Sequence, residues 1–345
     1  MKKILLGVGV AMMTVGALKA QDVHFTQYFA SPLTLNPALT GLTQGDVRLA
    51  ANYRAQWMSV NSTPYMTGTI SYDMATLKGK LPEGDALGIG ILGLYDRSGK
   101  GALSNTTVGL SVAYHKSLGA EKKHTISLGI QGYLVQKSID FSKVKFEDQF
   151  NAATGYDDLP TNENFANKDL TYPDFNVGLM YTGRLNEHAT MYAGLSVYHL
   201  TQPVETFMGG SQKIATRVST YLGGSFDLNE NMVLYASGLY QSQAKAWEAL
   251  VGGAAGFVLN PGHDMEYQKN TVFYLGAWYR YGDALCPYIG FEWSKMQLGF
   301  SYDANISKFT AATSGVGAYE ISLIFNGNIN KRGPQPNYNF ACPKF

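Results

Sequence analysis

The sequence predicts an all-β chain, a transmembrane β-barrel of the outer-membrane type with about 14 antiparallel strands. Three observations carry that reading. The chain has 345 residues and 38 glycines with only 15% charged side chains, against roughly 25% charged residues in an average protein. Apolar and small or polar residues alternate with a period of two through most of its length. No apolar run beyond residue 20 is long enough for a membrane-spanning helix. A bilayer admits only helices and closed barrels, in which every main-chain N–H and C=O finds a partner.

The amino-terminal stretch reads as a secretory signal peptide over 1–20. Lys2 and Lys3 precede an apolar run from Ile4 to Leu18, and the small residues Ala17 and Ala20 place the cut between Ala20 and Gln21. Leu18 departs from the small-residue rule of the cleavage site. Export excludes a cytoplasmic role, and a net charge of +1 gives no clustered basic footprint for nucleic acid.

Residues 21–44 form a separate amino-terminal segment. Pro32 and Pro37 interrupt any strand ladder, yet Phe25, Tyr28, Phe29, Leu33 and Leu35 need cover. The expectation is a segment folded into the lumen or packed under the periplasmic mouth.

The barrel is expected over 45–325. Val108, Leu110, Val112 and Tyr114 alternate with Thr107, Gly109, Ser111 and Ala113, and Leu298, Phe300 and Tyr302 alternate with Gln297, Gly299, Ser301 and Asp303. Phe175, Val177, Leu179 and Tyr181 share the pattern, as do Tyr319, Ile321, Leu323 and Phe325. A water-soluble sandwich would place Lys and Glu on its outer face, whereas here both faces avoid charge. Fourteen such runs are readable, most of them long enough for the roughly 9 to 11 residues of a tilted membrane strand. Tyr95, Tyr114, Tyr181, Tyr198, Tyr281, Trp293 and Tyr302, near strand ends, are candidates for interfacial girdles. If both termini are periplasmic, the connections at 118–123, 183–188, 228–232 and 294–295 are short turns and those at 140–173, 199–216 and 303–316 are external loops. The connections at 243–245 and 282–283, and at 75–85 and 260–270, break that rule.

Beyond Phe325 a polar tail, 326–345, is expected on the periplasmic side, where it is a candidate contact for a partner. Phe325 rather than Phe345 is the expected strand-ending aromatic. Cys286 and Cys342 are a candidate disulfide pair, with the strand parity placing them at opposite ends unless the tail threads the lumen.

The sequence Gln27-Tyr28, then Asn36-Pro37-Ala38, then Gly41 resembles the start of mature PorP/SprF proteins, outer-membrane components of the type IX secretion system. Thr26 stands where Ser is commoner. The resemblance implies a barrel without enzymatic activity that serves protein secretion or gliding motility. It also implies partners among the machinery's proteins and secreted cargo with C-terminal sorting domains, with outer-membrane lipid around the wall.

Other chemistry has weaker support. Gly88, Gly90 and Gly93 match a dinucleotide fingerprint literally, but they alternate within a β-like run instead of opening a helix, and lumen-facing small residues account for them better. The loop holding Glu147, Asp148, Asp157, Asp158, Glu163, Asp169 and Asp174 lacks the spacing of a calcium loop. The six histidines form no zinc pair, and no metal, cofactor or catalytic residue is assigned. A transport pore for small or hydrophobic solutes is the alternative function, and a barrel hydrolase with a spatial Ser-His-Asp arrangement the third.

Overall fold

A computed structural model describes residues 22–60, 64–77, 80–99, 102–156, 161–163, 168–207, 209–259, 271–329 and 344–345. The proposed signal peptide and its cleavage site, and Cys342, lie outside the described residues.

Among the described residues sixteen strands are formed in chain order. They are β1 (Val47–Gln56), β2 (Tyr65–Thr76), β3 (Ala86–Ser98), β4 (Leu103–Leu118), β5 (His124–Ile139), β6 (Phe150–Asn151), β7 (Gly155–Tyr156), β8 (Asp169–Asn186), β9 (Ala189–Tyr198), β10 (Arg217–Asn229), β11 (Met232–Gln243), β12 (Ala246–Val258), β13 (Val272–Arg280), β14 (Ala284–Trp293), β15 (Met296–Asn305) and β16 (Val316–Gly327). The pair β6 and β7 makes a small ribbon of its own. The other fourteen close into one antiparallel barrel, each bonded to its neighbours in sequence, and β1 pairs with β16 from Val47 opposite Gly327 to Gln56 opposite Ala318. Closure leaves the barrel no open edge to aggregate or to expose unpaired main chain in lipid.

Period-two alternation decides which side chains meet lipid. On β4 the residues Val108, Leu110, Val112 and Tyr114 point outward, with Leu110 66% exposed, while Thr107, Ser111, Ala113 and His115 are buried on the lumen side. Ile70, Ile130, Leu222 and Val251 continue the outer apolar band on other strands. The lumen face is Ser, Thr, Asn and Gln with a few fully buried charges such as Arg54, Asp73, Asp303 and Glu320.

The strand β3 runs through Asp96 and Arg97 to Ser98, because both residues pair with β4, at Asn105 and Ser104. One detail differs from the sequence reading. Tyr198 is not part of an outer girdle. With Leu195 on the outer face, the alternation turns Tyr198 inward, where it is buried under the Arg217 guanidinium at 4.1 Å.

One end of the barrel carries the connections 140–168, 199–216 and 306–315, and the opposite end carries the turns 119–123, 187–188, 230–231 and 294–295 together with Val47 and Gly327. We call these the long-loop end and the terminal end.

The lipid-facing assignment predicts that Leu110→Lys, at the middle of β4, lowers the folding free energy in lipid bilayers by about 2 to 4 kcal/mol, read by urea titration. An equal cost for a lysine at Glu187, in a turn, would contradict it.

A segment threaded through the lumen

Residues 22–43 occupy the inside of the barrel from one end to the other. Asp22 lies at the long-loop end, against Gln243 at the end of β11 and His199 just beyond β9. Arg48, near the start of β1, holds the Leu39 and Leu42 carbonyls at the terminal end. Between them the chain takes three short helical turns, over Tyr28–Ala30, Pro32–Leu35 and Pro37–Leu39. Proline sits in the first turn of two of them, where its missing N–H costs nothing.

Such an irregular chain leaves its main-chain polar groups to be satisfied by the wall, since buried unpaired N–H and C=O groups are costly. The Glu320 carboxylate accepts from the Thr26 and Gln27 amides, both at 2.9 Å, and the Asp73 carboxylate accepts from the Gly41 amide at 2.6 Å. Carbonyls are met in turn by Gln131 (Leu33, 3.1 Å), Ser196 (Leu35, 2.7 Å), Arg48 (Leu39, 2.9 Å) and a ring nitrogen of His115 (Thr40, 2.8 Å). The polar lumen face is therefore a template for one backbone path.

Three residues of the amino-terminal motif, Gln27, Tyr28 and Asn36, bond the wall through their side chains. Gln27 donates to the Ser301 hydroxyl and the Glu320 carbonyl and accepts from Ser322. Tyr28 donates to Ser237 at 2.7 Å. Asn36 caps the following turn by accepting from the Ala38 amide at 2.8 Å, and its amide donates to the Leu179 and Leu195 carbonyls. Gly41 has φ of +75°, which a side chain would strain.

Glycines in the wall make room for this path. A Cβ at Gly178 would lie 1.8 Å from Asn36 Oδ1, one at Gly129 2.3 Å from the Pro37–Ala38 main chain, and one at Gly88 1.9 Å from the Thr40 carbonyl. Gly88 and Gly90 of the fingerprint-like run thus face the segment, consistent with a steric need for small residues and not with a phosphate turn.

Two charged clusters grip the segment at the long-loop end. In the first, Arg54 pairs with Asp303 (2.7 Å) and Glu320 (3.0 Å), and Arg280 pairs with Asp303 (2.8 Å) and Glu248 (3.3 Å). The Thr26 hydroxyl accepts from both guanidinium groups and donates to Asp303. A Ser hydroxyl could do the same. His24 approaches Glu248 at 3.5 Å.

In the second cluster, His199 bridges two carboxylates, Asp22 at 2.6 Å and Asp174 at 2.7 Å, with Arg217 beside Asp22 at 3.4 Å. Burial works against a charged imidazole, yet the hydrogen bonds to Asp174 and Asp22 outweigh it and raise the pKa to about 9. Asp22 shifts the other way: burial would raise it, but Arg217 and His199 hold it well below the usual carboxylate range. Neither cluster was legible as such in the sequence, since Asp22 and His199 are 177 positions apart.

His115 and His124 are likewise engaged in structural bonds. His115 meets the Ser127 hydroxyl through Nδ1, but its Nε2 lies on the Thr40 carbonyl, not on a carboxylate. His124 bonds the Tyr181 hydroxyl. Among the described residues no group of three or more His, Cys, Asp or Glu side chains is arranged to hold a metal ion. Cys286 is buried on the lumen face opposite Trp278.

The closed wall, the apolar outer band and the occupied lumen define an outer-membrane β-barrel with an internal plug. The model of the type IX secretion system membrane protein PorP/SprF family matches residues 17–325. The chain belongs to that family. No curated protein matches it. Similar solved structures include the Ralstonia pickettii toluene transporter TbuX, at 12% identity over 86% of this chain and 92% of that one, with a TM-score of 0.47. Others are the CymD monoaromatic hydrocarbon channel (12%, 87% and 93%, 0.46) and a Pseudomonas aeruginosa FadL homologue (10%, 84% and 92%, 0.46). At such identity these are likenesses of one barrel to another.

The glycine contacts predict that Gly178→Val forces Asn36 from its seat, at a cost of about 1 to 3 kcal/mol, and opens residues 25–35 to chymotrypsin while the barrel persists. Gly132→Ala, whose Cβ would lie 3.5 Å from Phe175, is the control, and equal proteolysis of both variants would refute the seating. The His199 cluster predicts a pH dependence of stability. Because the folded pKa is raised from 6.5 to about 9, the contribution is complete below about pH 6.5 and is lost as pH rises through about 9, on the order of 3 kcal/mol. Unfolding temperatures in detergent micelles should fall across that window for the native chain and stay flat for His199→Gln; superimposable profiles would rule the cluster out as a determinant.

Proposed function

We propose that this barrel works by holding proteins, not by conducting solutes or catalysing a reaction. In this reading it is a non-enzymatic component of the type IX secretion machinery, and of gliding motility where the two are coupled. The terminal end faces the periplasm and meets machinery proteins, and the long loops face outward toward secreted cargo with C-terminal sorting domains. The family supports a role in secretion. The observation that carries the finer reading is the threaded segment, whose main chain is bonded to the wall on many strands (Leu33 to Gln131, Leu35 to Ser196, Gly41 to Asp73). A lumen filled in this way leaves the rims and loops as the surfaces on which partners can be told apart.

Chain-borne bonds of that number are not displaced by a passing small molecule, which argues against the pore.

Deletion of the gene should abolish export or surface retention of at least one cargo protein, with restoration by the native chain, as measured by comparing secreted and surface proteins. Unchanged secretion and retention of every cargo would reject the reading. Purified barrel in liposomes should give no swelling with sugars, and swelling equal to that of an open porin would favour the transport pore.

A further inference from the structure

At the long-loop end the mouth of the barrel contains a cavity of about 290 Å³, with His24 of the threaded segment among its lining residues. Beside it run the two shortest connections of that end, 244–245 and 281–283. Trp247, Tyr281 and Asp283, in or next to those turns, line it, as does Trp57 just beyond β1. The rings are braced by neighbours. Trp57 packs edge-on against Tyr65 at 5.0 Å and Phe309 at 5.5 Å, and Trp247 lies 5.5 Å from Tyr281 and 6.2 Å from Tyr240.

The charges that line the cavity are unevenly matched. Arg54 and Arg280 are buried, and both spend donors on Thr26 and Asp303. Asp303 and Glu320 offset those two cations in number, so Glu248 and Asp283 stand as two negative charges in excess when His24 is neutral. The Asp283 side chain is also the most open of these charges, 44% exposed, with Arg280 at 3.3 Å. Uncompensated carboxylates and aromatic rings in one cavity favour a cation, which the rings attract by their faces and the carboxylates by charge. The volume lies just under the roughly 300 to 1,000 Å³ of small-molecule sites, which suits one long side chain. Of the two basic residues arginine matches better, because a planar guanidinium can bond a carboxylate and stack on a ring.

We propose that this cavity is a receptor for an arginine side chain on a partner polypeptide. The proposal rests on the reading that the long loops meet secreted proteins, and it names the chemistry by which one would be engaged.

The test uses the full barrel, folded in detergent, and a blocked Gly-Ser-Arg-Ser-Gly peptide that carries an uncharged fluorophore. Fluorescence anisotropy should show saturable binding, at least tenfold weaker for the peptide with citrulline, which keeps the shape and loses the charge. Asp283→Asn should cost at least fivefold for the arginine peptide and leave the citrulline peptide unchanged. That carboxylate can be altered safely, because the Ile306 and Ser307 amides are held by the Asp283 carbonyl and not by its side chain. Trp247→Leu should weaken the arginine peptide at least threefold, and heat-modifiable migration on gels verifies that each variant is folded. Equal affinity for the citrulline peptide, no saturable binding to folded barrel, or indifference to both substitutions would overturn the proposal. A barrel that restores secretion to the deletion strain yet binds no arginine peptide would strike this site alone, whereas unchanged secretion in the deletion strain would strike the functional reading.

Discussion

The structure depends on one constraint: an irregular polypeptide inside a membrane-embedded ring must have its peptide groups satisfied by that ring. Non-helical chain at membrane depth is tolerated only where protein or water covers it. Here the cover is the lumen wall, and several of its polar residues are explained by the peptide group they meet. Glu320 and Asp73 take amides, whereas Gln131, Ser196, Arg48 and His115 meet carbonyls. The wall is shaped sterically by the same demand, since Gly88, Gly129 and Gly178 stand where any side chain would collide with the segment.

Buried charges deepen this account. The group of Arg54, Arg280, Asp303, Glu320 and Glu248 is not an obvious source of stability, because desolvation consumes much of what the pairing supplies. An apolar cluster of equal volume would serve a plain core as well. It would not recognise two adjacent peptide N–H groups, as Glu320 does, or hold a hydroxyl between two guanidinium groups and a carboxylate, as happens at Thr26. The charges fix where the segment sits along the barrel axis, and a one-residue slip would strand them unpaired. Removing one partner from such a buried pair costs about 3 to 5 kcal/mol, so the register is enforced steeply.

Much of the wall was legible in the sequence because lipid and lumen sort side chains with a period of two that no tertiary contact overrides. The alternation around Leu110 and around Phe300 is visible residue by residue, and the fourteen runs correspond to the fourteen strands of the ring. Tyr198 shows a signal passed over: Leu195 and Val197 already claim the outer face of β9, so the tyrosine that follows must point inward. The glycines of Gly88-x-Gly90 could be read as small, but the collision they avoid depends on a segment some fifty positions earlier. Asp22, Asp174 and His199 carried no signature at all, since the cluster exists only because the ring returns β8 and β9 to the mouth where the threaded chain begins. Likewise the polar composition of 326–345 suggested the periplasmic side, whereas Phe345 is buried among Tyr235 of β11, Tyr274 and Trp278 of β13, Tyr288 of β14 and Phe29 of the segment.

The threaded segment also bears on how the ring closes. Every pairing in the barrel except one joins strands adjacent in the wall's sequence order, and such local hairpins form readily. The exception is β1 against β16, which joins the two ends of the barrel-forming chain. Across that seam Arg54 stands opposite Glu320 and Asn52 opposite Ser322. These seam residues are among those that grip Thr26 and Gln27: Glu320 accepts their amides, Arg54 donates to the Thr26 hydroxyl, and Ser322 donates to the Gln27 side chain. The segment thus supplies hydrogen-bond partners to the charged side chains that face each other across the seam. The one long-range pairing of the wall and the seating of residues 22–43 draw on the same side chains, and the amino-terminal segment is packed into the seam as closely as the strands it lies between.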